Sequence, residues 1–472
     1  MKWCGKALHW LLLAVGALVL AACGGGDSSV TTVSGPGLSG LGASPPVSLY
    51  TSTMPFVQKS NNLKVVVDSG PQRQFSSAAS TNILYADVKV CEPNSSPEKC
   101  VTIPHVLVDT GSVGLRILAK KVQSLNLAAV QTPSGQESWE CYPFVIGGLW
   151  GRNVVADVKL GNQDALSVPI QLIQDDTAGP QATEDCAHAA GGTLQKDGTY
   201  SRDGILDSVD RLGSNGILGI GNTEVDCGLR CVLNDGTAAF YTYYGCTAGA
   251  VSSSGCVSTA LDMNFQVYNP VAALTQHNNG VVLALPAVSF PGASMATGEL
   301  IFGIDTSNAD INAENNMRPS TMTRVLLGTD AVNNPSSYLN ITTTYNTLSV
   351  TNSYLDTGTN GLFFSDNTTP CPTDPLHPTT YWYCPFNSLK KQAVLSDGDN
   401  PLQNQIPVSF TVDNAEAIFS TTNTAFAGLA GSPPVAGTFA WGLPFFYGRR
   451  VFLSMWRQTS PVSTPWYAWE SL

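Results

Sequence analysis

Two short acidic motifs are the residues of this chain best suited to chemistry. Asp109–Ser112 reads Asp-Thr-Gly-Ser within VLVDTGSVGLRI, and Asp356–Thr359 reads Asp-Thr-Gly-Thr within SYLDTGTNGLFF. Burying a lone carboxylate costs several kcal/mol, so an acid at the end of an apolar run calls for a compensating partner. Two carboxylates about 3 Å apart share one proton. One can then act as a base on water while the other donates a proton to a substrate.

The elements that must position these motifs are β-strands. Apolar runs such as LKVVVDSG, NVVADVKLG and GVVLALP recur along the chain and are bounded by turn residues. The 472 residues include 44 Gly and 29 Pro, and 43% are hydrophobic, which is enough to bury a core in two or more lobes. The sequence therefore predicts an all-β protein with a few short helices.

Charge and composition argue against several classes of partner. The net charge of −12 and the absence of a basic cluster beyond the extreme N-terminus argue against nucleic acid, which requires grouped Lys and Arg. The four histidines that follow the N-terminal segment are scattered and show no paired ligand spacing. We therefore expect no nucleic-acid partner, no metal and no cofactor, and a monomeric protein.

The N-terminus resembles that of bacterial lipoproteins. Two lysines precede an apolar run, Ala7–Ala22, that is short for a membrane span. The run ends in Leu-Ala-Ala-Cys at Cys23, which is similar to a lipobox, and an ordinary signal peptide is the alternative. The resemblance implies a signal peptide over 1–22, a lipidated Cys23 and a flexible Gly/Ser-rich tether over 23–60. Gly24 after the cysteine implies sorting to the outer membrane of the bacterial cell envelope, facing the periplasm or the surface.

The remaining ten cysteines predict disulfides. An even number of cysteines in an exported protein is typical of disulfide pairing. Four close pairs favour local bridges, and the last two cysteines are then left to each other. The predicted pairs are Cys91 with Cys100, Cys227 with Cys231, Cys246 with Cys256, Cys371 with Cys384, and Cys141 with Cys186.

The doubled motif resembles the pepsin-like aspartic proteases. Asn215–Gly221 (NGILGIG) and Phe439–Leu453 (FAWGLPFFYGRRVFL) resemble the strands that thread behind the two catalytic loops of that family, and Gly298–Asn308 resembles the strand and turn that close its first lobe. The similarity covers residues 64–456. It implies a bilobal fold with lobes at 61–312 and 313–472 and an active site in the cleft between them. A bacterial lipoprotein family of unknown function that carries the same double motif is the nearer expected relative.

The resemblance assigns a role to each motif residue. Asp109 and Asp356 are the catalytic pair. The threonines hydrogen-bond across the lobes, the glycines let main-chain N–H groups face the carboxylates, and the hydroxyls that follow donate to the outer carboxylate oxygens. These supporting residues are Thr110, Gly111, Ser112, Thr357, Gly358 and Thr359.

A flap that covers the pair is expected in the hairpin-like stretch 140–151, ECYPFVIGGLWG. Tyr142 and Phe144 are candidates for its aromatic residue, and Trp150 is an alternative lid. The family places an aromatic residue after its first motif to support the flap, whereas this chain has Arg116 there. A bridge from Cys141 to the loop around residues 176–214 would restrict flap opening.

Two functions follow from these features. The first is a membrane-anchored aspartic endopeptidase that hydrolyses peptide or protein substrates through Asp109, Asp356 and an activated water. The second is a non-catalytic lipoprotein of the same fold that binds peptides or proteins. Relatives that lose catalysis commonly lose an aspartate or a motif glycine. This chain keeps both aspartates and both motif glycines, which favours the enzyme.

Overall fold

The fold is all-β in a computed structural model of the protein. The structure describes residues 50–75, 79–176, 179–233, 242–306, 314–317, 322–328, 340–372, 381–456 and 464–472. Within these ranges there are 24 strands and only short helices. The all-β class predicted from the sequence is confirmed. The predicted signal peptide, Cys23 and most of the tether lie outside the described residues.

The strands form two sheets. The first fifteen strands in chain order are Thr51–Thr53 (β1), Asn62–Val67 (β2), Leu84–Cys91 (β3), Cys100–Asp109 (β4), Val113–Leu118 (β5), Ala128–Ala129 (β6), Glu137–Phe144 (β7), Gly147–Leu160 (β8), Gln163–Ile173 (β9), Gly216–Ile220 (β10), Tyr243–Cys246 (β11), Cys256–Ser258 (β12), Gly280–Leu285 (β13), Met295–Phe302 (β14) and Val325–Leu326 (β15). The remaining nine are Ile341–Tyr345 (β16), Leu348–Leu355 (β17), Leu362–Phe363 (β18), Leu389–Ser396 (β19), Ile406–Val412 (β20), Ala430–Gly431 (β21), Thr438–Trp441 (β22), Arg449–Ser454 (β23) and Trp466–Ser471 (β24). A larger sheet contains β1 to β15 with β23 and β24, and a smaller sheet contains β16 to β22.

The helices are short and are begun by polar caps. The α-helices are Glu184–Ala189 (α1), Val209–Leu212 (α2), Leu229–Leu233 (α3) and Ala415–Phe419 (α4), and 3₁₀ turns occupy Ala119–Val122, Ser253–Gly255, Met263–Phe265 and Leu443–Phe445. The Thr183 side chain accepts a hydrogen bond from the Cys186 N–H at the start of α1. The Asn414 side chain accepts one from the Ala417 N–H at the start of α4. Among the described residues, no helix has the length and apolar content needed to cross a membrane.

A strand is threaded behind the first acidic motif. Gly216–Ile220 (β10) pairs in parallel with β4, placing Gly219 opposite Asp109. The same strand pairs antiparallel with β5, placing Gly219 opposite Gly114. A Cβ at Gly219 would lie 2.8 Å from the backbone of Val113, so only glycine fits between the two arms of the loop.

The smaller sheet repeats this arrangement around the second motif. Thr438–Trp441 (β22) runs parallel to β17 and antiparallel to β18, so that it lies between the strands on either side of Asp356. Gly442 follows β22, and a Cβ there would lie 2.2 Å from the carbonyl oxygen of Gly361. Gly442 therefore has the same close approach to its loop as Gly219.

Both ends of the described chain enter the larger sheet. Strand β23 pairs with β13, and β24 pairs with β23 and β15, although all of 449–471 lies within the predicted second lobe. At the other end, Thr51–Thr53 pairs in parallel with Met295–Thr297, and the buried Ser52 hydroxyl donates to the Ala287 carbonyl. The predicted tether over 23–60 is therefore wrong for these three residues, because their backbone is fixed by the edge of the sheet.

All five predicted disulfides are confirmed. Two of them span adjacent strands at directly opposed positions, Cys91–Cys100 across β3 and β4 and Cys246–Cys256 across β11 and β12. Cys141–Cys186 joins β7 to α1. The other two bridges are Cys227–Cys231 and Cys371–Cys384.

Candidate active site

The two acidic motifs occupy equivalent places at strand ends. Asp109 is the last residue of β4, and Asp356 directly follows β17. The apolar strands that lead to them are held by the threaded strands β10 and β22, and the Asp356 N–H donates to the Trp441 carbonyl at 3.0 Å. Each acid therefore follows a strand whose last residues are buried, in a loop that cannot relax without breaking two strand pairings.

Two threonines join the loops reciprocally. The Thr110 N–H donates to Thr357 Oγ1 at 3.1 Å, and the Thr357 N–H donates to Thr110 Oγ1 at 3.0 Å. Thr357 Oγ1 then donates to the Val108 carbonyl at 2.7 Å, and Thr110 Oγ1 to the Leu355 carbonyl at 3.4 Å. Both side chains are buried. Each hydroxyl thus accepts from and donates to the main chain at the opposite strand end, which fixes the two loops against each other.

This junction brings the two carboxyl groups to the same place. Both Asp356 Oδ1, at 3.1 Å, and an oxygen of Asp109 lie close to the point where a Gly358 Cβ would be. A Cβ added to Gly111 would lie 2.6 Å from the Asp356 carboxyl carbon, and one added to Gly358 would lie 2.6 Å from Asp109 Oδ1. Each motif glycine therefore faces the opposite acid, at a distance that any side chain would prevent.

Within its own loop, each carboxylate accepts the same two hydrogen bonds. For Asp109 the donors are the Gly111 N–H at 2.8 Å and the Ser112 hydroxyl at 2.5 Å. For Asp356 they are the Gly358 N–H at 2.7 Å and the Thr359 hydroxyl at 2.6 Å. The main-chain donor binds one oxygen and the hydroxyl binds the other, which orients each carboxyl group.

The two acids differ in their surroundings. Asp109 is buried, with 5% of its surface exposed, whereas Asp356 is half-buried. Burial and the adjacent Asp109 raise the pKa of Asp356 well above its ordinary value, against the opposing hydrogen bonds from Thr359 and Gly358. A proton is therefore held between the two carboxyls at a pH where isolated aspartates are ionised, and their titration belongs to the pair.

Of the three candidates for the flap, Tyr142 is the one that contacts Arg116, on the strand after the first acidic loop. It is on β7, which forms a hairpin with β8, and its ring lies 3.7 Å from the Arg116 guanidinium carbon. Burial raises the pKa of Tyr142, and negative charges that include Asp109 raise it further while Arg116 lowers it. Phe144 packs edge-on against Tyr142 at 5.0 Å and is half-buried.

Trp150 lies on the other face of the hairpin. It is directly opposite Cys141, whereas Tyr142 is opposite Leu149, and successive strand residues point to opposite faces. Its indole is buried, stacks on Trp139 at 5.5 Å and donates to the Pro180 carbonyl at 2.8 Å. The prediction of Trp150 as an aromatic lid is therefore wrong: it is a core residue that anchors the hairpin to the segment before α1.

The sequence did not reveal the residues that surround Arg116. Its Nη2 donates to Glu140 Oε1 at 2.7 Å and to Asp226 Oδ2 at 2.8 Å, and all three side chains are buried. An arginine inside the apolar strand VGLRIL and an acid two residues before Tyr142 were the available signals. Asp226 is distant in the chain, and no local pattern marks it.

Two other features of the described residues do not form competing sites. The one cluster with metal-ligand spacing is Cys91, Glu98 and Cys100, and its two sulfurs are joined in a disulfide. A cavity of about 620 Å³ contains no residue of either acidic loop; it is lined by Asp305, Met317, Met322, Arg324, Leu326 and Asn404.

The chain belongs to a family without an assigned activity. A family model described as "Protein of unknown function (DUF3443)" matches residues 57–469, which is most of the chain. Both acidic motifs, the threaded strands and all ten disulfide cysteines fall within the matched region. Among the curated proteins, no match is found.

Proposed function

We propose that this protein is a pepsin-like aspartic endopeptidase that hydrolyses peptide bonds through Asp109, Asp356 and a water molecule. The proposal includes a bilobal arrangement in which each sheet forms the framework of one lobe and the acidic loops meet in the cleft between them. The observation that carries it is the reciprocal threonine pair, which holds two identical Asp-Thr-Gly loops with each motif glycine against the opposite carboxyl group. A pair of turn-capping aspartates would not need this exchange.

The shared proton sets the chemistry. Asp356 holds the proton in the resting state, because its pKa is raised by burial and by Asp109. Asp109 removes a proton from water as the water oxygen attacks the scissile carbonyl carbon, and Asp356 donates its proton to the carbonyl oxygen. The tetrahedral intermediate then collapses: the amine leaves with the proton carried by Asp109, and a hydroxyl of the intermediate returns its proton to Asp356 as the new carboxyl group forms, so the dyad regains its singly protonated form. Atoms and charges balance without a metal or cofactor.

Cleavage of a peptide library tests the proposal. The full chain in detergent should cleave unstructured peptides in a pH-dependent manner between about pH 3 and about pH 8, with the upper limit set by loss of the shared proton. A statine, which mimics the tetrahedral intermediate, should block cleavage. If no peptide is cleaved but a statine binds in competition with peptides, the protein is the non-catalytic peptide-binding member of the fold that the sequence also allowed. If neither cleavage nor statine binding occurs, both functions are excluded.

The proposed location is the bacterial cell envelope, with attachment through lipid on Cys23. The supporting observation is the Leu-Ala-Ala-Cys sequence that follows the apolar run. Membrane fractionation and mass spectrometry should find acylated Cys23 at the mature N-terminus, and Cys23→Ser should abolish the acylation. Equal membrane attachment in that variant would exclude lipidation as the anchor.

A further inference from the structure

Arg116 is a cation buried beside the first acidic loop. It lies on β5, seven residues after Asp109, and its side chain has no exposed surface. Its Nη1 donates to the Val113 carbonyl, and its Nη2 forms ion pairs with Glu140 and Asp226. A buried cation is tolerated only where hydrogen bonds and opposite charges are supplied, and here β5, β7 and the loop that carries Asp226 supply them to Nη1 and Nη2.

Two carboxyl groups face the one guanidinium of this cluster. Burial raises the pKa of Glu140 well above its ordinary value, and the nearby Asp226 raises it further, whereas Arg116 opposes the shift. The Tyr243 hydroxyl donates to Asp226 Oδ1 at 2.7 Å and accepts from the Val267 N–H at 2.7 Å, which fixes the Asp226 carboxyl in turn.

The same guanidinium holds the hairpin at two points. Glu140 and Tyr142 are two residues apart on β7, so their side chains point to the same face. Glu140 binds the guanidinium edge at 2.7 Å, and the Tyr142 ring lies against its face at 3.7 Å. Rotation of β7 about its axis would break both contacts together, because one rigid planar group makes them.

The opposite face of the same strand is fixed separately. Cys141 lies between Glu140 and Tyr142, the two residues that contact Arg116, and forms a disulfide with Cys186 in α1. Around Arg116 itself, Gly114 leaves the space required: its φ is +101°, and a Cβ there would lie 3.1 Å from Nη1. The base of the hairpin is thus fixed on both faces, and the tip, where Val145 and Ile146 are exposed, lies beyond these contacts.

We propose that Arg116 is a positioning residue: together with Glu140 and Asp226 it holds the Tyr142 ring beside the Asp109 loop. The ion pairs orient the guanidinium, and the guanidinium orients the ring. Tyr142 is then presented to the dyad in the ground state, before any substrate binds. The catalytic consequence rests on the proposed function, whereas the structural consequence, a hairpin fixed at its base, does not.

The test removes the cluster without leaving a buried charge. In the triple variant Arg116→Met, Glu140→Gln, Asp226→Asn, no unpaired ion remains, so the fold is expected to persist. Hydrogen exchange of the full chain in detergent should become at least about tenfold faster for peptides that cover residues 140–149. Peptides from β3 and β4, which do not touch the cluster, serve as the internal control and should be unchanged. Unchanged exchange of the hairpin in a folded triple variant would overturn the proposal.

A second measurement separates positioning from general stability. Tyr142→Leu alone should lower kcat/KM by about tenfold, whereas Tyr142→Phe, which keeps the ring on the guanidinium, should retain hairpin protection. Adding Tyr142→Leu to the triple variant should cost little more, because the ring is already released. Fully additive losses would contradict the coupling.

If hairpin exchange responds as expected but the unaltered protein cleaves nothing, the proposed function fails while the positioning role stands. If cleavage occurs and is insensitive to the triple variant, the positioning role fails and the function stands.

Discussion

The Asp109 and Asp356 loops are built from the same parts but are embedded in different surroundings. Each has an incoming strand with a buried end, a glycine that faces the opposite acid, a hydroxyl that donates to its own carboxylate and a glycine-marked strand threaded behind it. Seven residues after the acid the two diverge. Arg116 is in an ion-paired cluster with the hairpin, whereas Phe363 packs on Trp382 at 5.3 Å.

This difference separates two tasks in the fold. The parts that are shared, the loop and the threaded strand, bring the carboxyls together. The parts that differ begin with the strand after each loop: on one side a charged cluster whose arginine lies against the Tyr142 ring, and on the other aromatic packing of Phe363 on Trp382. Changes to the shared parts should therefore have equal effects at the two loops, whereas changes to the parts that differ should have unequal effects.

The largest expected effect is loss of cleavage on removing either acid. Asp109→Asn and Asp356→Asn should each lower kcat by about 10⁴, because one shared proton requires both groups. The double variant should be no worse than either single one, because the acids act as a unit. Asp197→Asn is a control at an exposed turn, Asp197-Gly198-Thr199, where the carboxylate also accepts one main-chain N–H and one hydroxyl, both from Thr199. Steady-state cleavage of one peptide by the unaltered protein and these four variants gives the comparison, and full activity in either single variant at Asp109 or Asp356 would exclude the dyad.

The disulfides near the two loops should stabilise the protein unequally. Replacing Cys141 and Cys186 by Ala should cost about 4 kcal/mol, and replacing Cys371 and Cys384 about 3 kcal/mol, since the closed loops span 45 and 13 residues. Cys91–Cys100, which spans nine residues, is the reference at about 2.5 kcal/mol. Thermal midpoints of the three double variants should follow this order. The opposite order would show that native-state contacts, rather than loop length, dominate.

The threonine pair should show a smaller and slightly asymmetric effect. Thr357→Val removes the donor to the Val108 carbonyl at 2.7 Å, whereas Thr110→Val removes a longer bond of 3.4 Å to the Leu355 carbonyl. Each change also leaves a buried N–H unpaired. We expect costs of about 3 kcal/mol for Thr357→Val and about 2 kcal/mol for Thr110→Val. Thr→Ser at each position keeps the hydroxyl and is the control. Equal thermal midpoints for the two valine variants would show that the two halves of the junction are equivalent.

The repeated features were the ones that the sequence could reveal. An apolar strand, an Asp-Thr-Gly loop and a later apolar strand with a marker glycine form a local pattern, and the structure threads both marker strands through their loops. The disulfide pairs also followed from local spacing, apart from Cys141 and Cys186, which were paired by elimination. In each case the information lies within short stretches of chain.

The features that the sequence did not reveal depend on distant partners. Arg116 was visible as an unusual residue, but Asp226 and Tyr243, which fix its charge, come from separate segments. Trp150 was predicted as a possible lid because its burial is not visible in the sequence. That burial depends on contacts with Trp139 and with the segment near Pro180. Strand β1 was read as tether because only its pairing with β14 orders it. Local periodicity carries no information about such pairings.

The smallest expected effect tests the electrostatic difference between the acids through stability rather than activity. Burial and Asp109 raise the pKa of Asp356, so between the ordinary aspartate value and the raised value the folded protein binds more protons than the unfolded chain. The free energy of unfolding therefore falls as pH rises through this window. Asp356→Asn removes this loss, and its thermal midpoint should exceed that of the unaltered protein by about 2–4 °C at pH 7. The gain should disappear near pH 3, where Asp356 is protonated in both states.

Asp197→Asn is the control and should lower the thermal midpoint at pH 7 rather than raise it. Hydrogen bonds from Thr199 lower the pKa of Asp197, so its carboxylate contributes to stability only above its ordinary pKa. A gain for Asp356→Asn that is as large at pH 3 as at pH 7 would mean that the amide packs better than the acid, and that like-charge repulsion between the loops contributes nothing.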